Sequence, residues 1–395
     1  MIIDLPSTTT SAISKKLVQL REEVGSMALG RVLTLLVVCD EAEIDHAIDV
    51  ANDASRQHPC RVVCVVTANS RGAARIDAQI RLGGDAGASE VVVLRLYGPL
   101  TRQGKSVIIP LLLPDSPIVA WWPTEAPLDP GQDPIGAMAA RRVTDAAASK
   151  RPLAALKARG SNYHPGDTDL AWTRLTLWRA QLAAALDQPP HAPVTSAIVT
   201  GATDSPSATL LAAWLAHALK CPVTLARSRA GTGIISVRLT RAHDTIDLVR
   251  PSGETATLTQ TDQPDRRIAL PHRSDAECLS DELRRLDPDE VYEEALLKGV
   301  PKLGPRSGPT SSEAQAVGAA PSVKEAAKTV RRIRRANAGV ASNAMVTAEP
   351  PPEAPSTRAV KAATAEALGA SAATETTPPD APKTRAGRNA KKATS

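Results

Sequence analysis

Apolar and polar positions in the first third of the chain follow two periods, one typical of buried strands and one typical of helices. Short runs rich in Val, Ile and Leu predict four strands, at residues 31–40, 61–67, 89–98 and 117–122. Around them, apolar residues recur every three or four positions and predict helices at 11–24 and 41–57. Continuous apolar strands separated by helices are typical of a parallel sheet that is covered on both faces.

The second half of the chain shows shorter strands, some of which alternate apolar and polar side chains. The pattern predicts strands at 195–201, 221–226, 234–239, 245–250, 254–260 and 266–271. It predicts helices at 207–219, 275–286 and 288–298, the last with Asp287 as its N-cap. Alternation between 234 and 260 indicates an antiparallel sheet with one wet face. The predicted fold class is therefore α/β, with an N-terminal mostly parallel sheet flanked by helices and a second α+β domain with an antiparallel sheet.

Composition divides the chain further. Residues 304–395 contain no aromatic residue and are rich in Ala, Pro, Ser, Thr, Lys and Arg, so they are predicted to form a disordered basic tail. This tail carries a surplus of seven positive charges, whereas the rest of the chain has a net charge of −2. The predicted organisation is an N-terminal α/β domain at 1–160, a linking helical segment at 161–190, an α+β domain at 191–303, and the tail.

The linking segment, SNYHPGDTDLAWTRLTLWRAQLAAALDQPP (161–190), holds two of the five tryptophans of a chain that has no phenylalanine. Apolar residues at helical spacing predict one helix over 168–187, with Asp167 or Thr168 as its cap and Asp169 in its first turn. A core helix between two domains explains the leucines. It explains two Trp and two Arg less well, because these residue types are enriched in protein–protein contacts.

A second excess of tryptophan lies at the end of the predicted strand 117–122. Neighbouring residues in a strand face opposite ways, so one of Trp121 and Trp122 is expected to face outward. Together the two regions predict a partner-binding site. Its candidate residues are Trp121, Trp122, Asp167, Asp169, Trp172, Arg174, Trp178 and Arg179.

Motifs for catalysis, cofactors and metals are weak. The stretch VTGATDSPSATLLAAWLA (199–216) predicts a strand, a glycine loop and a helix, but it lacks the spacing of nucleotide-binding loops. The chain has neither a G-x-S-x-G nor an H-E-x-x-H motif, and its five cysteines lie in apolar runs that are typical of buried thiols. The sequence therefore predicts no catalytic residue, no metal and no cofactor.

The expected location is the cytoplasm. The N-terminus lacks the basic and apolar run of a signal peptide, and no apolar stretch is long enough to span a membrane. The cluster RRIRR (331–335) indicates at most weak contact with polyanions, because no aromatic residue stands beside it to stack on bases. Neither a membrane nor a specific nucleic acid is an expected partner.

Several long stretches resemble, in order, the actinobacterial and cyanobacterial glucose-6-phosphate dehydrogenase assembly proteins, the OpcA family, and the actinobacterial type in particular. They are residues 89–99, 110–123, 141–147, 163–179, 199–216, 233–239 and 276–296. The resemblance implies a non-catalytic partner that binds this dehydrogenase and favours its active oligomer, which supports NADPH production in the oxidative pentose phosphate pathway. Cyanobacterial relatives are associated with thiol redox control, but the cysteines here match no redox pair.

Two alternatives to an assembly partner stay open. One is a sensor that binds a sugar phosphate or nucleotide through the turn at 201–207 and the strand end near 121–125. The other is an enzyme with an unrecognised site.

Overall fold

Apolar β-branched runs form the centre of a large sheet in the computed structural model, which describes residues 1–24, 32–82, 90–189, 191–251 and 253–304. Eight strands of the described residues make this first sheet, in the order β1-β4-β5-β3-β2-β6-β7-β8. Their bounds are β1 Ile2–Thr8, β2 Leu33–Cys39, β3 Cys60–Thr67, β4 Arg75–Arg81, β5 Glu90–Tyr97, β6 Ile118–Trp121, β7 Arg141–Thr144 and β8 Asp167–Asp169. Strands β5, β3, β2, β6, β7 and β8 run parallel. At one edge, β4 pairs antiparallel with β5, and β1 pairs antiparallel with β4.

The second sheet is mostly antiparallel, as predicted. Its order is β10-β9-β11-β12-β13-β14, and only β9 and β10 pair in parallel. Its strands are β9 Val194–Ala202, β10 Val223–Ser228, β11 Ile234–Arg241, β12 Thr245–Val249, β13 Thr255–Gln260 and β14 Arg266–Ala269. The predicted α/β fold class with these two kinds of sheet is therefore confirmed.

Helices cover the first sheet on both faces and the second sheet on one. The helices are α1 Thr10–Val24, α2 Ile44–Ser55, α3 Gly104–Ile108, α4 Pro152–Ser161, α5 Leu170–Thr173, α6 Thr176–Leu186, α7 Pro206–Ala218, α8 Asp275–Arg284 and α9 Glu290–Glu294. Helices α1 and α3 pack on one face of the first sheet. Helices α2 and α8 pack on its other face, and α5, α6, α7 and α9 cover the second sheet. The continuous apolar strands of the first sheet are thus buried on both sides.

Helix α8 crosses from the second half of the chain to the first sheet. Cys278, Leu279 and Leu283 are buried in the same core as α2 and the strands β2, β3 and β5. In the other direction, Leu156 of α4 lies in the core of the second sheet. The two halves therefore exchange elements, and the predicted boundaries near 160 and 190 stay predictions.

Other elements differ from the sequence-based expectation. Residues 168–187 form strand β8 followed by two helices, α5 and α6, because Asp167–Asp169 pair with β7. Asp169 is the N-cap, accepting a hydrogen bond from the Ala171 N–H, so the capping role expected of Asp167 or Thr168 was wrong. Asp289, rather than Asp287, caps α9. Except for Gly304, the predicted disordered tail lies outside the described residues.

Candidate functional site

Residues 163–179, called here the Trp/Arg segment, join the two cores of the molecule. The segment contains β8 at the edge of the first sheet, all of α5, and the start of α6. Leu170 is buried in the core of the first sheet, whereas Trp172 and Trp178 are buried in the core of the second. The Trp/Arg segment therefore contributes side chains to the cores of both sheets. This segment, together with the charged side chains that pair with it, is called here the joint.

Asp167 holds the start of the segment to the first sheet. Its carboxylate forms a buried ion pair with Arg142 of β7 and accepts a hydrogen bond from the His164 N–H at 2.9 Å. Arg142 also donates to the Ala139 carbonyl oxygen at 2.9 Å. The predicted site residue Asp167 is thus fully engaged within the chain.

Asp169 and Asp145 form a pair of buried carboxyl groups at the carboxyl ends of β8 and β7. Asp169 is fully buried and accepts hydrogen bonds from the Thr144 hydroxyl at 2.7 Å and the Ala146 N–H at 3.0 Å. Burial, and then repulsion from Asp145, raise the pKa of Asp169 to about 7, although the hydrogen bonds act in the opposite direction. Asp169 is therefore poised to titrate near neutral pH.

Arg174 bridges Asp145 to helix α8. Its guanidinium donates to both carboxylate oxygens of Asp145, at 2.9 and 2.6 Å, and to Asp275 Oδ1 at 2.6 Å. Burial opposes the charge, but the hydrogen bonds and attraction to these two carboxylates outweigh it and raise the pKa of Arg174. The Arg174 side chain is 22% exposed, so one part of it remains accessible from the solvent.

Trp172 and Arg179 form an aromatic and cationic cluster with α9. The Arg179 guanidinium lies 3.8 Å from the centroid of the Trp172 ring, and the Trp172 Nε1–H donates to Asp289 Oδ2 at 2.8 Å. Tyr292 packs against Trp172 with ring centroids 5.8 Å apart. Burial lowers the pKa of Arg179, partly offset by Asp289 and Glu282. Arg179 is half-buried and Trp172 is buried.

Trp121 and Trp122 do not present an outward face, which corrects the expectation made for this pair. They do face opposite ways, but Trp121 lies in the core that contains α2 and α8, and Trp122 lies in the core that contains α1. Both are no more than 2% exposed. The reason is that the sheet is covered on both faces, so alternation places neither residue in the solvent.

Helix α8 is held against the joint by buried charged residues. The sequence analysis did not single these residues out. Arg141 of β7 pairs with Glu282 of α8, and both are buried. Glu282 also accepts a hydrogen bond from the Thr173 hydroxyl at 2.5 Å, and Arg273 donates to the Thr173 carbonyl oxygen at 3.0 Å. The run RRVTDAA (141–147) contained a signal, because two arginines precede a β-branched residue and an acid.

The thiols are poor candidates for chemistry. Cys39 and Cys278 are buried thiols, and burial raises the pKa of both to about 12, so little thiolate forms at neutral pH. Within the described ranges, no group of three or more His, Cys, Asp and Glu side chains could hold a metal ion. In the same ranges, no helix combines the length and apolar character that crossing a membrane requires.

Fold and site together define a class of protein in which two sheets, one mostly parallel and one mostly antiparallel, are locked by a buried joint of tryptophan and ion pairs. Matches to two family models give the family of the chain. The model described as the glucose-6-phosphate dehydrogenase subunit N-terminal domain matches residues 51–161, and the corresponding C-terminal domain model matches 165–296. The chain therefore belongs to the OpcA family of glucose-6-phosphate dehydrogenase assembly proteins, while the actinobacterial type stays a prediction.

Other comparisons add little. No curated protein matches the sequence. Among solved structures, a Gfo/Idh/MocA family oxidoreductase from Vibrio cholerae is 9% identical with a TM-score of 0.31, covering 68% of this chain and 96% of its own. The structure described as "Trehalose-6-phosphate from E. coli bound with UDP-2-fluoro glucose" is 10% identical with a TM-score of 0.21, covering 50% of this chain and 65% of its own. Likenesses this low support no argument about function.

Proposed function

We propose that this protein binds glucose-6-phosphate dehydrogenase and favours its active oligomer without catalysing a reaction itself. The observation that carries the proposal is the match of both family domains, which together run through the joint and both sheets. A partner that binds only the active oligomer shifts the assembly equilibrium by its difference in affinity for the two states. A preference of about 1.4 kcal/mol is enough for a tenfold shift.

The eight residues predicted from the sequence take two different parts in this proposal. Six are less than a tenth exposed, namely Trp121, Trp122, Asp167, Asp169, Trp172 and Trp178. Trp121 and Trp122 are buried in the cores on the two faces of the first sheet, and the other four are buried in the joint. Arg174 and Arg179 are the members with accessible portions, so we propose that they meet the partner.

The two arginines call for different variants. Truncation of Arg174 would leave Asp145, which is 3% exposed, as an unpaired buried charge, and such losses cost about 3–5 kcal/mol. Arg179 has its stacking on Trp172 as its main contact, worth about 0.5–2 kcal/mol. Arg179→Ala therefore removes a partner-facing charge with little risk to the fold.

The test is a rate titration of the same organism's dehydrogenase at low nanomolar concentration, with light scattering on the same samples. We expect the full chain to give a saturable rise in NADPH formation together with a larger complex. Arg179→Ala should weaken the apparent affinity about tenfold or more, as hot-spot truncations do. Arg56→Ala is the matched control, because the Arg56 side chain is 72% exposed and its ion-pair partner in the described structure is Asp53, three residues away.

Two results would count against the proposal at different levels. Unchanged affinity in a folded Arg179→Ala chain would remove Arg179 from the contact surface. No change in rate or size with the full chain would reject the assembly role.

A further inference from the structure

A small cavity lies where the Trp/Arg segment meets the start of helix α7. Its volume is about 180 Å³. Trp178 and Arg250 line it together with Ser205 and Ser207 at the start of α7, and His272 and Arg273 of the following loop also line it. Drug-sized ligands occupy pockets of roughly 300–1,000 Å³, so this cavity suits a much smaller group.

Arg250 is a buried cation in this cavity, and no carboxylate of the described residues pairs with it. It is 5% exposed, and its guanidinium lies 5.0 Å from the centroid of the Trp178 ring. Its Nη1 donates to the Leu270 carbonyl oxygen at 2.9 Å and its Nη2 to the Ile234 carbonyl oxygen at 3.4 Å, whereas its Nε is buried and has no hydrogen-bond partner among the described residues. Burial lowers the pKa of Arg250 to about 10, with no acidic group acting against it.

The other charged groups at the cavity are already compensated. Arg174 is paired with Asp145 and Asp275, and Arg273 is paired with Asp281 at 2.7 Å. His272 is exposed at the mouth of the cavity. Partial burial of its ring, and then the positive charge of Arg250, lower its pKa. Within the part of the chain that the structure describes, Arg250 is therefore the cavity cation that no carboxylate neutralises, and burying such a charge lowers the stability of the fold.

The N-terminus of helix α7 lies at this cavity. The strand β9, a short loop and the 13-residue helix α7 bring the positive end of the helix dipole to the cavity. Gly201 permits this approach, because a Cβ atom there would lie 2.5 Å from the Ala208 Cβ. The Ser207 hydroxyl donates to the Ala171 carbonyl oxygen at 2.8 Å, which fixes the first turn of α7 against the Trp/Arg segment.

We propose that this cavity binds one tetrahedral oxyanion, either inorganic phosphate or the phosphoryl group of a small metabolite, with Arg250 as its counter-charge. A planar guanidinium offers paired donors to such an oxyanion, and a helix N-terminus favours negative charge. The volume suits a phosphoryl group rather than a whole nucleotide, and the glycine loop lacks nucleotide-binding spacing. The proposal concerns the isolated chain and does not depend on the assembly role.

The test measures thermal unfolding and calorimetric binding of the full chain at constant ionic strength. The probes are sodium phosphate, sodium sulfate, glucose 6-phosphate and glucose, with sodium chloride as the reference. We expect phosphate and sulfate to bind saturably and to raise the Tm by on the order of 5 °C at a hundredfold excess over Kd. Glucose alone should do neither. If glucose 6-phosphate binds more tightly than phosphate, the ligand is the phosphoryl group of a metabolite. If the two bind equally, the ligand is the free phosphate ion.

Two variants connect the binding to Arg250. Arg250→Met keeps most of the stem and removes the charge, so phosphate binding should be lost. Arg250→Lys keeps the charge but not the paired donors, so binding should weaken at least tenfold even if the Met variant fails to fold. Arg267→Met is the matched control, because Arg267 is an exposed residue on β14 of the same sheet. Phosphate binding that is absent in the unmodified chain, or retained by the folded Arg250 variants, would overturn the proposal.

Discussion

At the scale of single residues, Asp169 gives the joint a dependence on pH. Its pKa is about 7 in the folded chain and about 4 in an unfolded one, so the folded state holds a proton that the unfolded state has lost between these values. The free energy of unfolding contributed by this group is therefore highest below about pH 4. It falls as pH rises towards 7 and is constant above that.

Replacement of Asp169 by Asn should remove this dependence. The Asn amide can donate to the Thr144 hydroxyl while its oxygen accepts from the Ala146 and Ala171 N–H groups, so the site remains satisfied. Between pH 4 and 7, unmodified chains should lose at most about 4 kcal/mol of stability relative to Asp169→Asn. Urea unfolding across this range measures the difference. Asp49→Asn, at an exposed position of α2, should run parallel to the unmodified chain; a parallel profile for Asp169→Asn would contradict the raised pKa.

At the scale of elements, helix α8 depends on the ion pair between Arg141 and Glu282. Glu282→Ala would leave Arg141, which is 3% exposed, without its carboxylate, and we expect a loss of about 3–5 kcal/mol in unfolding free energy. Arg141→Met combined with Glu282→Leu removes both charges and should cost much less. Chemical denaturation of the two variants measures this contrast. Equal losses in both would mean that packing, rather than the unpaired charge, sets the cost.

The sequence predicted well those strands that are buried on both faces, because they form continuous apolar runs. Strands β2, β3, β5 and β6 are apolar on both faces, and their runs were found within a few residues of the observed ends. Strand β4 was missed although it alternates, with Ile76, Ala78 and Ile80 buried on one face. That pattern carried a usable signal of period two.

Strands β7 and β8 could not be predicted from local pattern. The residues Arg141–Thr144 and Asp167–Asp169 are short and polar, and they become strands only because they pair with the sheet and their charges find partners within the chain. For the same reason, the excess of Trp and Arg correctly drew attention to residues 163–179 but gave no measure of their burial. Arg250 carried no local signal, because the surroundings of its guanidinium are set by the folded chain and not by its sequence neighbours.

At the scale of the whole molecule, the joint makes each half of the chain structurally dependent on the other. The first sheet needs α8 over the face it shares with α2, and the core of the second sheet includes Leu156 of α4. A partner that binds the accessible arginines of the joint therefore contacts the segment that packs into the cores of both sheets. This arrangement suits a protein whose proposed work is to hold one state of another protein.

Helix α8 belongs to the second half of the chain but covers the first sheet. This arrangement predicts that two fragments of the chain can complement each other. A chain cut at residue 190, between α6 and β9, separates α8 from the sheet it covers. Residues 1–190 alone should expose an apolar face and aggregate, whereas the same fragment expressed with residues 191–395 should be recovered as a soluble complex. Size-exclusion chromatography with a tag on one fragment measures the outcome. Such a cut chain would behave as a split reporter, assembling only when its two pieces meet.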